Sequence, residues 1–196
     1  MGFTREQLQA FRDGTVDDLL PEHCRLLFVG INPGLWTAAT NTHFAHPGNR
    51  FYTALWRAGI TERRLDPAGF GADERAWLGG LGIGITNVVP RATAKASELT
   101  TDELREGGAR LVERVADVHP AVVAIVGITA YRGAYRLPRA KVGRQAQGEH
   151  PFGDVDCWVV PNPSGLNAHA TVDSLANDYR EVAEAAGLEL GPVRRV

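Results

Sequence analysis

The sequence predicts an α/β protein built on a mostly parallel sheet with helices on both faces. Two observations carry this. Short, continuously apolar runs recur along the chain, as expected of strands buried on both sides. Between them lie segments whose apolar residues repeat at helical spacing, so strands and helices alternate.

The elements follow in order. Thr4 can cap a first helix to about Asp13, with Gln7 completing a capping box. Residues 25–30 (RLLFVG) read as a buried strand, and a long loop follows over 31–47. Residues 49–58 read as a helix with Phe51, Leu55 and Trp56 on one face. Residues 81–89 (LGIGITNVV) form a second strand interrupted by glycines. A strong helix over 101–118 places Leu104, Leu111, Val112 and Val115 on one side. Residues 121–127 (AVVAIVG) are the clearest strand, with a short helix over 129–135. Residues 156–161 (DCWVVP) give a fourth strand, and 171–186 a final amphipathic helix.

No repeat or low-complexity linker divides the 196 residues, so a single domain over 1–196 is expected, with an N-terminal helix within 1–20 and a tail over 187–196. The net charge of -2 excludes a uniformly basic nucleic-acid binder but not a local basic face. No stretch approaches the roughly 18 apolar residues of a membrane span. Residues 1–20 carry Glu6, Asp13, Asp17 and Asp18 instead of the basic start and apolar middle of a signal peptide, so a cytoplasmic protein is expected. Cys24 and Cys157 each adjoin an apolar run and read as buried free thiols. No Cys/His cluster has metal-site spacing, and neither a phosphate-binding P-loop nor a dinucleotide fingerprint is present.

In open parallel sheets, ligands bind beyond the carboxyl ends of the strands. Two loops there have unusual composition. Gly30-Ile31-Asn32-Pro33-Gly34 follows the first strand; its glycines and proline fix the backbone around one asparagine. By itself that segment reads as a tight turn in which Asn32 serves its own backbone. Asn162-Pro163-Ser164-Gly165-Leu166-Asn167 follows the fourth strand and offers one leucine among small and polar residues. An apolar side chain at a loop tip is costly unless something covers it, and a base stack into which it wedges would do so.

The pair GINPG and NPSGLN resembles the mismatch-specific uracil-DNA glycosylase / thymine-DNA glycosylase family of the uracil-DNA glycosylase superfamily. FAHPGNRFY (44–52), GIGITNVVPRAT (82–93) and LREGGARLVE (104–113) add to the resemblance, which spans roughly residues 26–180. It implies a three-layer α/β/α fold around a short central parallel sheet, and excision of uracil and some modified pyrimidines from mismatches with guanine. It also implies roles. Asn32 matches the asparagine that positions water, Ile31 lies beside it on the pocket wall, and Phe44 matches the aromatic that stacks on the extruded base. Thr37, His43 and Asn87 fall at pocket positions that tune base choice, and Gly165, Leu166 and Asn167 match the intercalating loop. Two departures stand out. Trp36 replaces a smaller residue at the pocket mouth, and Ala168 and His169 follow the wedge where some relatives have an arginine that grips the widowed guanine.

The chemistry fits these residue types. A base must leave the stack before it can be attacked. Leu166 can fill the gap, and Phe44 can recover about 1–3 kcal/mol by stacking. The motif loops lack the carboxylate pair of ordinary glycoside hydrolysis. An amide is too weak a base to take a proton, but its oxygen can orient a water. Such a site favours bases that depart readily as anions, uracil rather than cytosine. The expected partner is mismatched double-stranded DNA, bound by a monomer without a metal or cofactor. No lysine in either loop could form a Schiff base, so no strand cleavage is expected.

Phosphate contacts are assigned to Asn162 and Ser164 in the second loop. Arg132, Arg136, Arg139, Lys141 and Arg144 form one basic segment without an intervening acid, and Arg91 and Lys95 a smaller one. Two other function classes compete: a non-catalytic module that binds damaged or mismatched DNA, and an enzyme acting on free nucleosides. The first would tolerate loss of Asn32 or Phe44, yet both are present; the second leaves Leu166 unexplained.

Overall fold

A computed structural model describes residues 2–194. The elements are α1 (Arg5–Gln9), β1 (Leu26–Gly30), α2 (Leu35–Thr40), α3 (Phe51–Arg57), α4 (Ala72–Gly80), β2 (Ile83–Asn87), α5 (Thr101–Val118), β3 (Val122–Val126), α6 (Ile128–Tyr135), β4 (Gly143–Arg144), β5 (Asp156–Val160) and α7 (Val172–Ala185). The sheet order is β2-β1-β3-β5-β4. Its four longer strands run parallel; only the two-residue β4 is antiparallel. The expected α/β/α sandwich around a short, mostly parallel sheet is therefore the fold.

Alternation along each strand sends side chains to two cores. Leu26, Phe28, Ile83, Ile85, Val122 and Ala124 face α3, α4 and α7. Leu27, Val29, Val123, Ile125, Cys157 and Val159 face α5 and α6. Strands covered on both sides carry no polar face, which is why they read as unbroken apolar runs. The helix over 101–118 lies where the sequence places it, because Thr100 and Glu103 close a full capping box. Both cysteines are free and buried, and among the described residues no helix is long and apolar enough to cross a membrane.

Several expectations need correction. The first helix ends at Gln9 rather than near Asp13, which adopts a left-handed backbone with φ 63°. The long loop after β1 contains the helix Leu35–Thr40, and α4 and β4 are additional elements. The expected N-terminal region and tail reach Met1, Arg195 and Val196, which lie outside the described residues; the described part of the tail folds back on α3. There Gly191 N–H donates to Gly59 (2.8 Å) and Arg194 reaches the Trp56 carbonyl (2.7 Å).

The segment before β1 forms a strap along the free edge of β2. Leu19 and Ile85 exchange backbone hydrogen bonds (2.9 and 2.7 Å), closing an edge that would otherwise expose its backbone. Asp18 accepts from Thr86 Oγ1 (2.7 Å) and pairs with Arg114 (3.2 Å).

Phe28 joins this scaffold to the site. It is fully buried and meets Phe51 edge-on (5.1 Å between centroids), and Phe51 in turn stacks on Phe44 (4.1 Å). We expect Phe28→Ala to destabilise the fold by about 3–5 kcal/mol in urea unfolding, through lost burial and the cavity left behind. A loss below about 1 kcal/mol would show that the ring is not part of a close-packed core.

Candidate active site

β1 is an interior strand of the sheet, with β2 on one side and β3 on the other. The chain passes from β2 across to β3, so the strand order reverses beside β1. Loops leaving neighbouring strands diverge at such a point and open a crevice. There Gly30, Ile31, Asn32, Pro33, Thr37, His43, Phe44, Asn87, Thr93, Val126 and Asn162 line a cavity of about 180 Å3. It is smaller than the roughly 300–1,000 Å3 of drug-sized ligand sites. A larger cavity, about 740 Å3, opens between Tyr135, Arg139 and His150. It includes neither strand-exit loop, so the chemistry-bearing residues point to the smaller one.

The loop leaving β2 runs beside the loop leaving β1. Val88 and Val89 N–H donate to Gly30 and Ile31 (both 2.9 Å), and Thr93 N–H donates to Pro33 (3.1 Å). This holds Asn32 in one orientation. Its Nδ2 donates to the Arg91 carbonyl (2.9 Å) and to Thr93 Oγ1 (2.8 Å). A carbonyl only accepts, and Thr93 Oγ1 already donates its hydrogen to the Lys95 carbonyl (2.9 Å). Both neighbours therefore demand the NH2 side. Oδ1 is left over and has no partner among the described residues. The amide thus serves more than its own backbone: it is a held acceptor on the cavity wall.

A second set of contacts fixes the cavity floor. His43 Nε2 lies 3.1 Å from the Asp17 carbonyl, an acceptor, so that nitrogen carries the proton. In the neutral ring Nδ1 then accepts, and it faces Asn87 Nδ2 at 3.2 Å. Asn87 Oδ1 is thereby turned away from His43, over Gly30. A Cβ on Gly30 would strike that oxygen, so glycine is required where β1 passes under the Asn87 side chain. Burial lowers the His43 pKa to about 4, against the opposing pull of the Asp18 carboxylate.

Phe44 forms the cavity's apolar side. Its backbone is left-handed (φ 55°), an unfavourable conformation for a bulky residue. Two contacts hold it there: the Phe51 stack and the hydrogen bond from Tyr52 Oη to the His43 carbonyl (2.9 Å). Trp36 packs between Phe3 (5.2 Å) and His46 (6.1 Å), and of these His46 lines the cavity.

The loop after β5 reaches the same cavity through Asn162. Most of its polar side chains brace the loop itself. Asn162 Oδ1 accepts from Ser164 N–H (2.9 Å), Asn167 Nδ2 donates to the Asn162 carbonyl (2.9 Å), and Ser164 Oγ accepts from Leu166 N–H (3.3 Å). The Ser164 hydroxyl donates to no partner among the described residues. Gly165 packs on the preceding 46–50 turn, and Leu166 is 95% exposed.

The basic candidates separate. Arg91 has its guanidinium engaged by Glu103 (2.7 Å) and Asp13 (2.8 Å), and this pairing holds the Glu103 carboxyl down at about 2. Its contribution to the site is its carbonyl on Asn32. Arg144 pairs with Asp156 (2.8 Å), while Lys95 and Lys141 are exposed. Sequence reading missed Thr93, Arg50 and the Asp17 carbonyl. All three act through contacts between distant segments, and only Thr93 and Arg50 lie in stretches that already stood out.

Fold and site together define the class: an open α/β sheet that gathers its chemistry at the carboxyl ends of its strands. The family model of the uracil DNA glycosylase superfamily matches residues 18–185, and the chain belongs to that superfamily. Among solved structures, the solution NMR structure of a Methanosarcina acetivorans protein provisionally assigned as a uracil DNA glycosylase superposes with a TM-score of 0.58. It covers 87% of this chain and 98% of that one at 17% identity, a likeness of fold.

The buried imidazole gives a pH test. With its folded pKa below the ordinary 6.5, His43 makes the native state bind fewer protons than the unfolded chain between about pH 6.5 and 4. Stability should therefore fall as pH drops through that window, with His43 contributing up to ~3 kcal/mol. NMR should find the ring neutral, protonated at Nε2, down to about pH 4. Ordinary titration near 6.5 would contradict the burial argument.

Proposed function

We propose that this chain is a monofunctional DNA glycosylase of the mismatch-specific type. It extrudes uracil, or a related modified pyrimidine, from a G·U-type mismatch, hydrolyses the N-glycosidic bond and leaves an abasic site. The observation that carries this reading is the enforced orientation of Asn32, whose free Oδ1 faces a base-sized cavity between the Phe44 ring and the loop that bears Leu166.

The extruded base stacks on Phe44, recovering part of the cost of leaving the duplex. Asn87 Oδ1 accepts from the N3–H of uracil; cytosine has an acceptor at that position and is refused. Asn32 Oδ1 accepts a hydrogen bond from a water below the sugar. As the C1′–N1 bond breaks, its electron pair leaves with the base, and the ring passes through an oxocarbenium-like state. The water oxygen bonds to C1′ and its proton passes to solvent. Held dipoles of this kind cost no reorganisation during the reaction. The Phe44 N–H, without a partner among the described residues, is a donor available to the charge growing on the base. Leu166 fills the vacated stack, and Lys95 and Lys141 supply exposed positive charge for the phosphates. The protein works as a monomer in the cytoplasm.

The reading that competes is a binding module for damaged DNA. A labelled duplex with one G·U pair, incubated with the protein and then treated with alkali, separates them: scission only after alkali supports the glycosylase, and binding without scission the module. Within the glycosylase reading, Asn32→Ala should lower single-turnover excision by on the order of 10²-fold, with mismatch binding retained. Thr93→Val, which removes one of the acceptors that hold the Asn32 amide, should lower it by about 10-fold. Wild-type rates in both variants would remove the proposed role.

A further inference from the structure

We infer that Arg50 is the positioning residue of the strand-opening loop. It holds residues 163–170 in the shape that presents Leu166 to the duplex, without touching DNA itself. This deepens the glycosylase reading and rests on it.

Arg50 stands at the N-terminus of α3, directly after the 46–49 turn. Its half-buried guanidinium donates to four main-chain carbonyls of one short loop: Nε to Pro163 (3.3 Å), Nη1 to Ala170, and Nη2 to Ser164 and to Asn167 (3.0 Å). Its own backbone N–H also donates to Pro163 (3.0 Å). No carboxylate pairs with it among the described residues, so carbonyl dipoles alone surround the charge. A guanidinium carries five N–H groups in a rigid fork, and all three of its nitrogens are engaged here. A contact this extensive within one loop is a template for the loop's backbone.

The geometry around it agrees. With four carbonyls drawn inward onto one cation, the intervening peptide of Gly165 and Leu166 is pushed out, and Leu166 ends 95% exposed. Gly165 leans on the residues just before Arg50. A Cβ there would come within 2.7 Å of the Gly48 carbonyl oxygen, so the loop rests on the turn with no room for a side chain. A wedge opens a base stack efficiently only if it is already ordered, because ordering it on contact would consume the binding energy meant for extrusion. Lysine, a point charge on a flexible stem, keeps the cation but cannot span four carbonyls.

The test uses the full chain with Arg50→Lys, which keeps the charge, and Arg50→Met, which removes it; urea unfolding establishes that each is folded. Hydrogen exchange of the free protein should rise by ~10-fold or more in the peptide covering 162–170, with β3 unchanged. Excision from a G·U duplex should fall by ~10-fold or more. Excision of uracil opposite an abasic analogue, where no base pair must be broken and the facing strand has no base to resist extrusion, should fall by less than ~3-fold. Leu166→Ala should show the same split, and combining it with Arg50→Lys should add little, because both changes disable one device. Unchanged exchange in 162–170, equal losses on both duplexes, or losses that multiply in the double variant would each overturn the proposal. A wild type that excises no base from any duplex overturns the glycosylase reading instead, and the exchange result needs no catalysis to be read.

Discussion

The site depends on one short set of hydrogen bonds: the Asn32 amide nitrogen donating to the Arg91 carbonyl and to Thr93 Oγ1. Without them the amide could present either end to the cavity. With them its oxygen is the only end available, because both neighbours require the NH2 group. That constraint exists because the backbone beyond β2 continues alongside the backbone beyond β1, past the end of the sheet. The parallel register that pairs Gly30 with Asn87 thus sets the chemistry above it.

The same register places the second amide. Asn87 leans over Gly30, and its orientation is inherited from His43, whose tautomer is set in turn by the Asp17 carbonyl on the edge strap. A segment that looks like an acidic surface stretch therefore decides which atoms face the cavity. Strain is stored at the same place: Phe44 adopts a left-handed backbone and is held there by Phe51 and Tyr52. Backbone strain of this kind persists only where the surroundings over-determine it.

Much of this architecture was legible in the sequence. Doubly covered strands announce themselves as apolar runs, and the repeat of Leu104, Leu111, Val112 and Val115 marks the long helix over 101–118. The helix Leu35–Thr40 was not legible. It is six residues long, its first residue follows a glycine without a capping side chain, and it is too short for a periodic pattern. The helix Ala72–Gly80 ends in two glycines and is only weakly amphipathic, and β4 is two residues long. In the site, Asn32, Phe44 and Asn87 could be read from their place at strand ends and from the family resemblance. What holds them could not. The partners of Asn32, His43 and Arg50 are mostly main-chain carbonyls, which every residue possesses and no residue type signals. For the same reason Arg91 reads as a phosphate contact in the sequence, whereas its side chain is bound to Glu103 and Asp13 and its carbonyl serves Asn32.

The most direct test of the central claim is a crystal structure of the protein on a duplex with guanine opposite a 2′-fluorinated deoxyuridine, whose glycosidic bond resists cleavage. The account predicts the base in the cavity against Phe44, a water within hydrogen-bonding distance of Asn32 Oδ1 and facing C1′, and Leu166 in the emptied stack. A base still paired in the helix, or an Asn32 amide whose oxygen points away from the sugar, would contradict it.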